Sequence, residues 1–313
     1  MDMNEVMLVD VKNLAYRLHF SNMNLTTRAG RPTSVLHGVL QTVLQLSKKY
    51  PESGFVFCSE GRKNWRKDFA PSMYKANRTM NPEKEKVEVQ LPPLLDVLKV
   101  LGFKVLNVEG FEADDLIGIL SRKLRVNKVR ILSNDKDFFQ LLTIPNIEVL
   151  RPFSGGIEKV KAANVLLVHG VEPKDWTKFR ALCGDTSDNI AHIAGIGPKT
   201  AIKLLAAGLD PSLREFKFHP MDVRKRFAAQ FAPRWKEVHL AYLLSYLPRK
   251  TNYKLFPRER ISDLDKQIKR VVRDPRRNTI DDMDACADKF LAFLAEYELS
   301  MLMSKRHKFW KMR

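Results

Sequence analysis

Short apolar runs at Val6–Val9, Phe55–Phe57, Lys104–Val108, Val129–Leu132 and Ile147–Leu150 alternate with stretches whose apolar residues recur at helical spacing, Thr33–Tyr50, Leu91–Leu101 and Glu112–Arg125. This alternation constrains the fold more than any other feature. Strand, helix, strand order predicts an α/β architecture, a mostly parallel sheet with helices on both faces. Ligands of such sheets bind beyond the carboxyl ends of the strands. From about Ala162 the pattern changes to helices with few strand signals, Asp175–Cys183, Thr200–Ala206, Arg234–Tyr246 and Met283–Met303, which predicts a helical second region. Between the second strand and Leu91 lies Arg62–Glu88, charged and interrupted by Pro71 and Pro82, expected to be a mobile loop or a helical arch.

Lysine and arginine number 54 against 36 acidic residues, a net charge of +18 that favours polyanionic partners, nucleic acid first. The three cysteines, Cys58, Cys183 and Cys286, form no CxxC pair, which argues against a zinc site or a disulfide framework and fits a reducing compartment. The first residues are acidic where a secretory signal is basic, and no apolar run reaches membrane-spanning length. The expectation is a cytoplasmic protein with no membrane partner.

Against this basic background, acids gather at the predicted carboxyl ends of strands. Asp10 ends the first strand, Asp135 and Asp137 follow Val129–Leu132, and Glu112, Asp114 and Asp115 follow the strand ending near Val108. Residues two apart in extended chain face one side, so Asp135 and Asp137 can converge on one point. Glu112 can join Asp114 only from a position before the first helical turn. Helix capping alone would also place acids there. Asp185 and Asp188 stand three apart in Gly184-Asp185-Thr186-Ser187-Asp188-Asn189, and turn chemistry would account for them equally. What separates a site from separate caps is the number of clusters aimed at one edge. Carboxylates so gathered repel and need countercharge, and an oxygen-only set selects Mg²⁺ or Mn²⁺ over softer metals.

Two basic segments accompany them. Gly195-Ile196-Gly197-Pro198-Lys199-Thr200 precedes an apolar helix, where glycines permit a tight turn and free N–H groups can hold a phosphate; a plain interhelical turn is the alternative. In Arg62–Arg78, six cations including Arg66, Lys75 and Arg78 face Asp68 alone, with Trp65 and Tyr74 interleaved as stacking candidates. Arg249–Arg277, with Tyr253 and Phe256, and the tail Lys305–Arg313 are also cationic; the tail reads as an amphipathic surface end or a partner-docking element.

In order and spacing, Leu8-Val9-Asp10, Trp65-Arg66 with Tyr74-Lys75-Ala76-Asn77-Arg78, Glu112-Ala113-Asp114-Asp115, Ser133-Asn134-Asp135-Lys136-Asp137, and Gly184 to Ile190 leading into Gly195-Ile196-Gly197 resemble the 5′ nuclease family of bacteriophage flap endonucleases and the 5′ nuclease domain of bacterial DNA polymerase I. The resemblance implies a PIN-like nuclease core over 1–170 with an arch at about 62–90. It further implies a helical DNA-binding region over 171–313 with a helix-three-turn-helix at about 183–206. By the same resemblance Asp10, Glu112, Asp114, Asp115, Asp135, Asp137, Asp185 and Asp188 look like ligands of two Mg²⁺ ions, replaceable by Mn²⁺, and a potassium ion is expected at the helix-three-turn-helix. Lys75 and Arg78 look like catalytic groups on the scissile phosphate. Tyr16, Arg17, Arg66, Tyr74, Gly195, Gly197, Lys199 and Thr200 look like DNA contacts, with Tyr16 stacking on a base.

The implied activity is 5′-3′ exonuclease and flap endonuclease cleavage by a monomer in a bacterial cell or phage-infected host. Implied substrates are DNA with a 5′ flap, nick or 5′ recess and RNA–DNA hybrids, with a replication or single-strand-binding protein as a further partner. The chain departs from the family where an aspartate follows the second strand: it reads Phe57-Cys58-Ser59-Glu60-Gly61, so Glu60 substitutes with a shift or the ligand is lost. Val11 stands where glycine is common, and Ala191 and Ala194 where prolines are. Two rivals follow: a structure-specific DNA-binding protein with weak or lost activity, and an RNA nuclease of the wider PIN class.

Overall fold

The computed structural model describes residues 5–190, 193–217, 225–247, 258–275 and 283–311. Ala191, residues 249–257 with Tyr253 and Phe256, Arg276 and Arg277, and the last two residues of the tail lie outside the described residues. The chain begins with β1 (Glu5–Asp10), α1 (Val11–Ser21), α2 (Ser34–Lys49), β2 (Ser53–Asn64), α3 (Trp65–Phe69), α4 (Pro82–Glu88) and α5 (Leu91–Val100). It continues with β3 (Lys104–Gly110), α6 (Ala113–Lys123), β4 (Lys128–Leu132), β5 (Ile147–Phe153), β6 (Gly156–Val160) and α7 (Ala162–His169). The helical part comprises α8 (Trp176–Cys183), α9 (Pro198–Ala206), α10 (Lys225–Ser245), α11 (Arg258–Arg273), α12 (Met283–Glu296), α13 (Ser300–Met303) and α14 (Arg306–Trp310).

Among the described residues the sheet has six strands in the order β3-β2-β1-β4-β5-β6. Its pairs are parallel except β5 with β6. β1 is central and apolar on both faces, as burial from above and below requires. Val6 and Leu8 enter one core layer with α6, while Met7 and Val9 enter the other with α1 and α2. The parallel strands β1, β2, β3 and β4 all end at one edge, which is where the acids were expected.

Three differences from the sequence reading have physical causes. Helix α1 starts directly after Asp10, and the polar pair Lys12-Asn13 behind Val11 hides the helical period. Strand β2 runs beyond Phe57 to Asn64 because Glu60 and Asn64 still pair with β3 across an irregularity. Strand β6 is an exposed edge with little apolar signal. The segment expected as a mobile loop or a helical arch folds, after the end of β2, as α3, a run of turns over 71–77, and α4. Ala70 and Tyr74 pack it against Ala181, Ile190, Ala241 and Leu244 of the helical region.

α11 lies along β3, with Gln267 Nε2 donating to the Asn107 carbonyl at 3.2 Å. The last helices close the face that holds α2 and α5, where Phe290, Leu294, Leu302 and Phe309 are buried. Phe309 meets Phe290 edge-on at 5.0 Å, so the described tail is an anchored amphipathic end.

Candidate active site

Each acidic cluster is delivered to the carboxyl edge by its own element. Asp10 is both the last residue of β1 and the N-cap of α1, its Oδ1 accepting from the Asn13 N–H at 3.2 Å. Ser133, after β4, donates to Asp10 Oδ2 at 2.9 Å, and its hydroxyl oxygen also accepts the Asp135 N–H at 3.1 Å. Asp135 Oδ1 in turn accepts the Asp137 N–H at 2.8 Å. Glu112 is the extended N-cap of α6, ahead of the first helical turn. Asp137, Asp185 and Asp188 offer oxygens within 4.8 Å of one another.

Glu60 stands two residues beyond Cys58, which pairs level with Asp10 in the sheet. Its carboxylate meets Lys12 at 2.9 Å, and its charge helps to raise Asp10. Lys12 also reaches Glu88 at 3.0 Å, and Tyr16 donates to Glu88 at 2.7 Å, tying α1 to α4. Cys58 itself is fully buried.

The electrostatics divide the cluster. Burial alone would raise the Glu112 carboxyl, but Arg66 and Lys75 outweigh it and hold it at about 2. Asp10 is pushed up to about 7 by burial and by the charges of Asp135 and Glu60. Asp137 reaches about 7 by burial and the Asp135 charge, against the pull of Arg180. Asp114 and Asp188 are raised by burial as well. Burying a carboxylate without a partner shifts it toward its neutral form, so one part of the edge lacks countercharge.

Two residues expected to touch DNA lie elsewhere. Arg66 is 1% exposed and bonds Glu112 at 2.7 Å, Asp115 at 2.7 Å and the Leu244 carbonyl at 2.9 Å. It holds carboxylates and α10 together and presents no donor to a phosphate. Tyr74 is also 1% exposed and donates to Glu112 at 2.8 Å, and Trp65 donates to Asp115 at 2.9 Å, so neither ring is open to a base. Both rings instead lie against the Arg66 guanidinium, at 4.8 Å and 5.8 Å. Asp115 is fully buried; it accepts from Arg66, from Trp65 and from the Glu112 N–H at 3.0 Å, which fixes the start of α6.

Lys75 Nζ is 2.5 Å from Glu112 and 3.9 Å from Asp188, while Arg78 Nη2 is 2.9 Å from Asp188. Lys75 holds a left-handed backbone at φ 53°, uncommon for a side chain of its size, secured by its N–H on the Asp188 carbonyl at 2.8 Å. Arg17 is half-buried on α1 and Tyr16 partly exposed. Gly195 takes φ 80° in the turn before α9, and a Cβ at Gly195 or Gly197 would meet nothing within 4 Å. Lys199 is exposed and Thr200 half-buried at the start of α9, so this turn offers its backbone outward.

Sequence reading missed Arg180, Lys12 and Ser133. Arg180 bonds Asp137 at 3.1 Å through Nε and Asp185 through Nη2. Its place in α8, five residues before Asp185, was the available signal.

Comparison with known proteins agrees with this geometry. The 5′-3′ exonuclease N-terminal resolvase-like domain matches residues 5–170, and the 5′-3′ exonuclease C-terminal SAM fold matches residues 171–263. A 5′-3′ exonuclease of Buchnera aphidicola (subsp. Acyrthosiphon pisum) is 30% identical over 77% of this chain and 86% of its own length. A thermostable DNA polymerase I of Thermus filiformis is 35% identical over 83% of this chain, which spans 31% of the polymerase. In fold, the chain is similar to T5 5′-exonuclease with bound zinc, at a TM-score of 0.69 and 20% identity over 86% of this chain and 99% of that one. It is also similar to the T5 D15 flap endonuclease solved with DNA and metal ions, at a TM-score of 0.66 and 19% identity over 86% and 99% of the two chains. Among the described residues no helix is long and apolar enough to cross a membrane. With both domains matched in sequence order around one acidic edge, the chain belongs to the 5′-3′ exonuclease family.

Proposed function

We propose that the chain hydrolyses DNA phosphodiesters near 5′ ends, acting on 5′ flaps, nicks, 5′ recesses and RNA–DNA hybrids with two Mg²⁺ ions, for which Mn²⁺ substitutes. The observation that carries this reading is the convergence of acids from four chain segments on one edge, with Asp10 and Asp137 pushed up to about 7 by burial and by the charge of Asp135. An all-oxygen set of this kind fits hard divalent ions. Asp10, Glu60, Glu112, Asp114, Asp135, Asp137, Asp185 and Asp188 are the proposed ligands, and Asp115 the residue that supports them from beneath. When bound, such ions activate the attacking water and stabilise the leaving 3′ oxygen.

The chain's own groups do the rest. Lys75 and Arg78 lie on the 70–78 segment beside Glu112 and Asp188, placed to turn toward a phosphate and offset charge that develops on it. Lys75 is the candidate for assisting proton transfer at the leaving oxygen. Tyr16 and Arg17 on α1 receive the nucleotide beside the cut. The backbone of Gly195–Thr200 with Lys199 grips the duplex, the open space beside Gly195 and Gly197 leaving room for a close approach, and the family resemblance adds a potassium ion beside this turn. The family resemblance supports action as a monomer alongside replication or single-strand-binding proteins. The reading of DNA binding without cleavage rests on the missing aspartate; that the Glu60 charge reaches Asp10 supports the catalytic reading.

The test incubates labelled 5′-flap DNA, blunt duplex and single-stranded RNA with the protein, with and without Mg²⁺ or Mn²⁺. Metal-dependent cutting of the flap, in preference to the blunt duplex and the RNA, is expected. Flap binding with no cutting in either metal would sink the proposal.

A further inference from the structure

We propose that Arg180 is a resident counter-cation that sets how tightly the Asp137, Asp185 and Asp188 corner holds a divalent ion, an inference that rests on the metal-site reading above. The two acids it meets arrive from different segments, one after β4 and one after α8. A single guanidinium spans them, with Nε on Asp137 Oδ1 at 3.1 Å and Nη2 on Asp185 Oδ2. This use suits the rigid planar donor fork of arginine and not the point charge of lysine. Asp185 Oδ1 is already taken by the Ser187 N–H at 2.8 Å and hydroxyl at 2.7 Å. What remains toward the cluster is the second oxygen of Asp137 and the carboxylate of Asp188, whose Oδ1 meets Arg78 at 2.9 Å.

Charge counting shows why the cation matters. The three carboxylates offer oxygens within 4.8 Å of one another. Arg180 offsets one negative charge and leaves two, the charge of one divalent ion. The other cations near this corner stand differently: Lys75 and Arg78 belong to the segment proposed to turn toward a phosphate. Arg180 is fixed on α8, which packs against α10 and α9. Its guanidinium is hydrogen-bonded to two acids at once, whereas Lys75 and Arg78 hydrogen-bond one acid each. Its consequence is a metal corner that binds an ion loosely enough to exchange it between turnovers.

The experiment titrates the full chain, free of added DNA, with Mn²⁺ by calorimetry and follows folding by circular dichroism. It compares wild type, Arg180→Met, Arg180→Lys and Asp137→Asn. Removing a unit charge a few ångströms from the ion should tighten the weaker Mn²⁺ binding event about tenfold in Arg180→Met. Arg180→Lys, which keeps the charge, should stay within about threefold of wild type. Asp137→Asn should weaken the same event by about tenfold or more. An Arg180→Met affinity equal to or weaker than wild type, with Asp137→Asn weakened, overturns the counter-cation role and leaves the metal site standing. An unchanged Asp137→Asn titration sinks the metal reading of this corner itself. Should the Met variant fail to fold, Arg180→Gln carries the same expectation and the same overturning result.

Discussion

The acidic edge has two halves that solve the same electrostatic problem differently. Around Glu112, Arg66, Tyr74 and Lys75 supply cations and donors from within the chain, and the carboxyl is held at about 2. Around Asp10 and Asp137 burial and mutual repulsion win, and both carboxyls rise to about 7. Buried charge that is paired behaves as structure. Buried charge that its partners do not fully offset, such as Asp10 or Asp137 even with Arg180 beside it, is primed for an ion from solution. The difference teaches that Glu112 carries its countercharge with it, whereas Asp10 is left to be charged by an ion from outside.

The sharpest way to break this contrast is Asp135→Asn, at the under-compensated half. Cleavage of a 5′ flap should fall by at least about 10⁴-fold, since metal clamping supplies several kcal/mol, while flap binding measured by gel shift stays within about threefold. Retained cleavage would remove the functional half of the comparison. Next is Arg66→Met, at the compensated half: three carboxylates lose their buried partner, and urea unfolding should show about 3–5 kcal/mol less stability. A loss below about 1 kcal/mol would mean that Arg66 is not what neutralises Glu112 and Asp115. Lys75→Ala tests the junction between the halves; kcat should drop about 10²-fold with KM nearly unchanged, because its interaction with a phosphate grows in the transition state. Equal losses in kcat and affinity would make it an ordinary binding contact.

The smallest effect is the most discriminating for charge. An aspartate whose folded value exceeds its ordinary 3.8 keeps a proton that the unfolded chain has released. Its stabilisation is complete at low pH and is lost as the pH rises through about 7. Glu112 acts in the opposite sense, losing its contribution only as the pH falls from 4.5 toward about 2. Metal-free protein should therefore melt a few degrees lower at pH 7.5 than at pH 5.5, and Mg²⁺ should recover the difference. A flat melting profile in EDTA would erase the asymmetry between the halves.

The strands that carry Asp10, Glu112 and Asp135 were legible because runs such as Val6–Val9 are apolar on both faces, a pattern that few other environments permit. Helix α1 and strand β6 were not, since one is polar where it meets the site and the other is a mostly exposed edge. Cations posed the harder problem. A run such as Arg62–Arg78 reads as a surface for phosphate, and nothing local reveals that Arg66 turns inward to Glu112 and to the Leu244 carbonyl of α10. Arg180 was missed for the same reason: its partner Asp137 lies well earlier in the chain, and only the folded arrangement brings them together.

Cys58, seated level with Asp10 in the neighbouring strand, has a further consequence. Burial, helped by the Asp10 charge, pushes its thiol far above the usual range, so the thiolate that alkylating agents and peroxides attack is scarcely formed. Cys183 is driven in the same direction, up to about 11. The sulfur seated level with Asp10 therefore offers little thiolate to alkylating agents for as long as the chain stays folded.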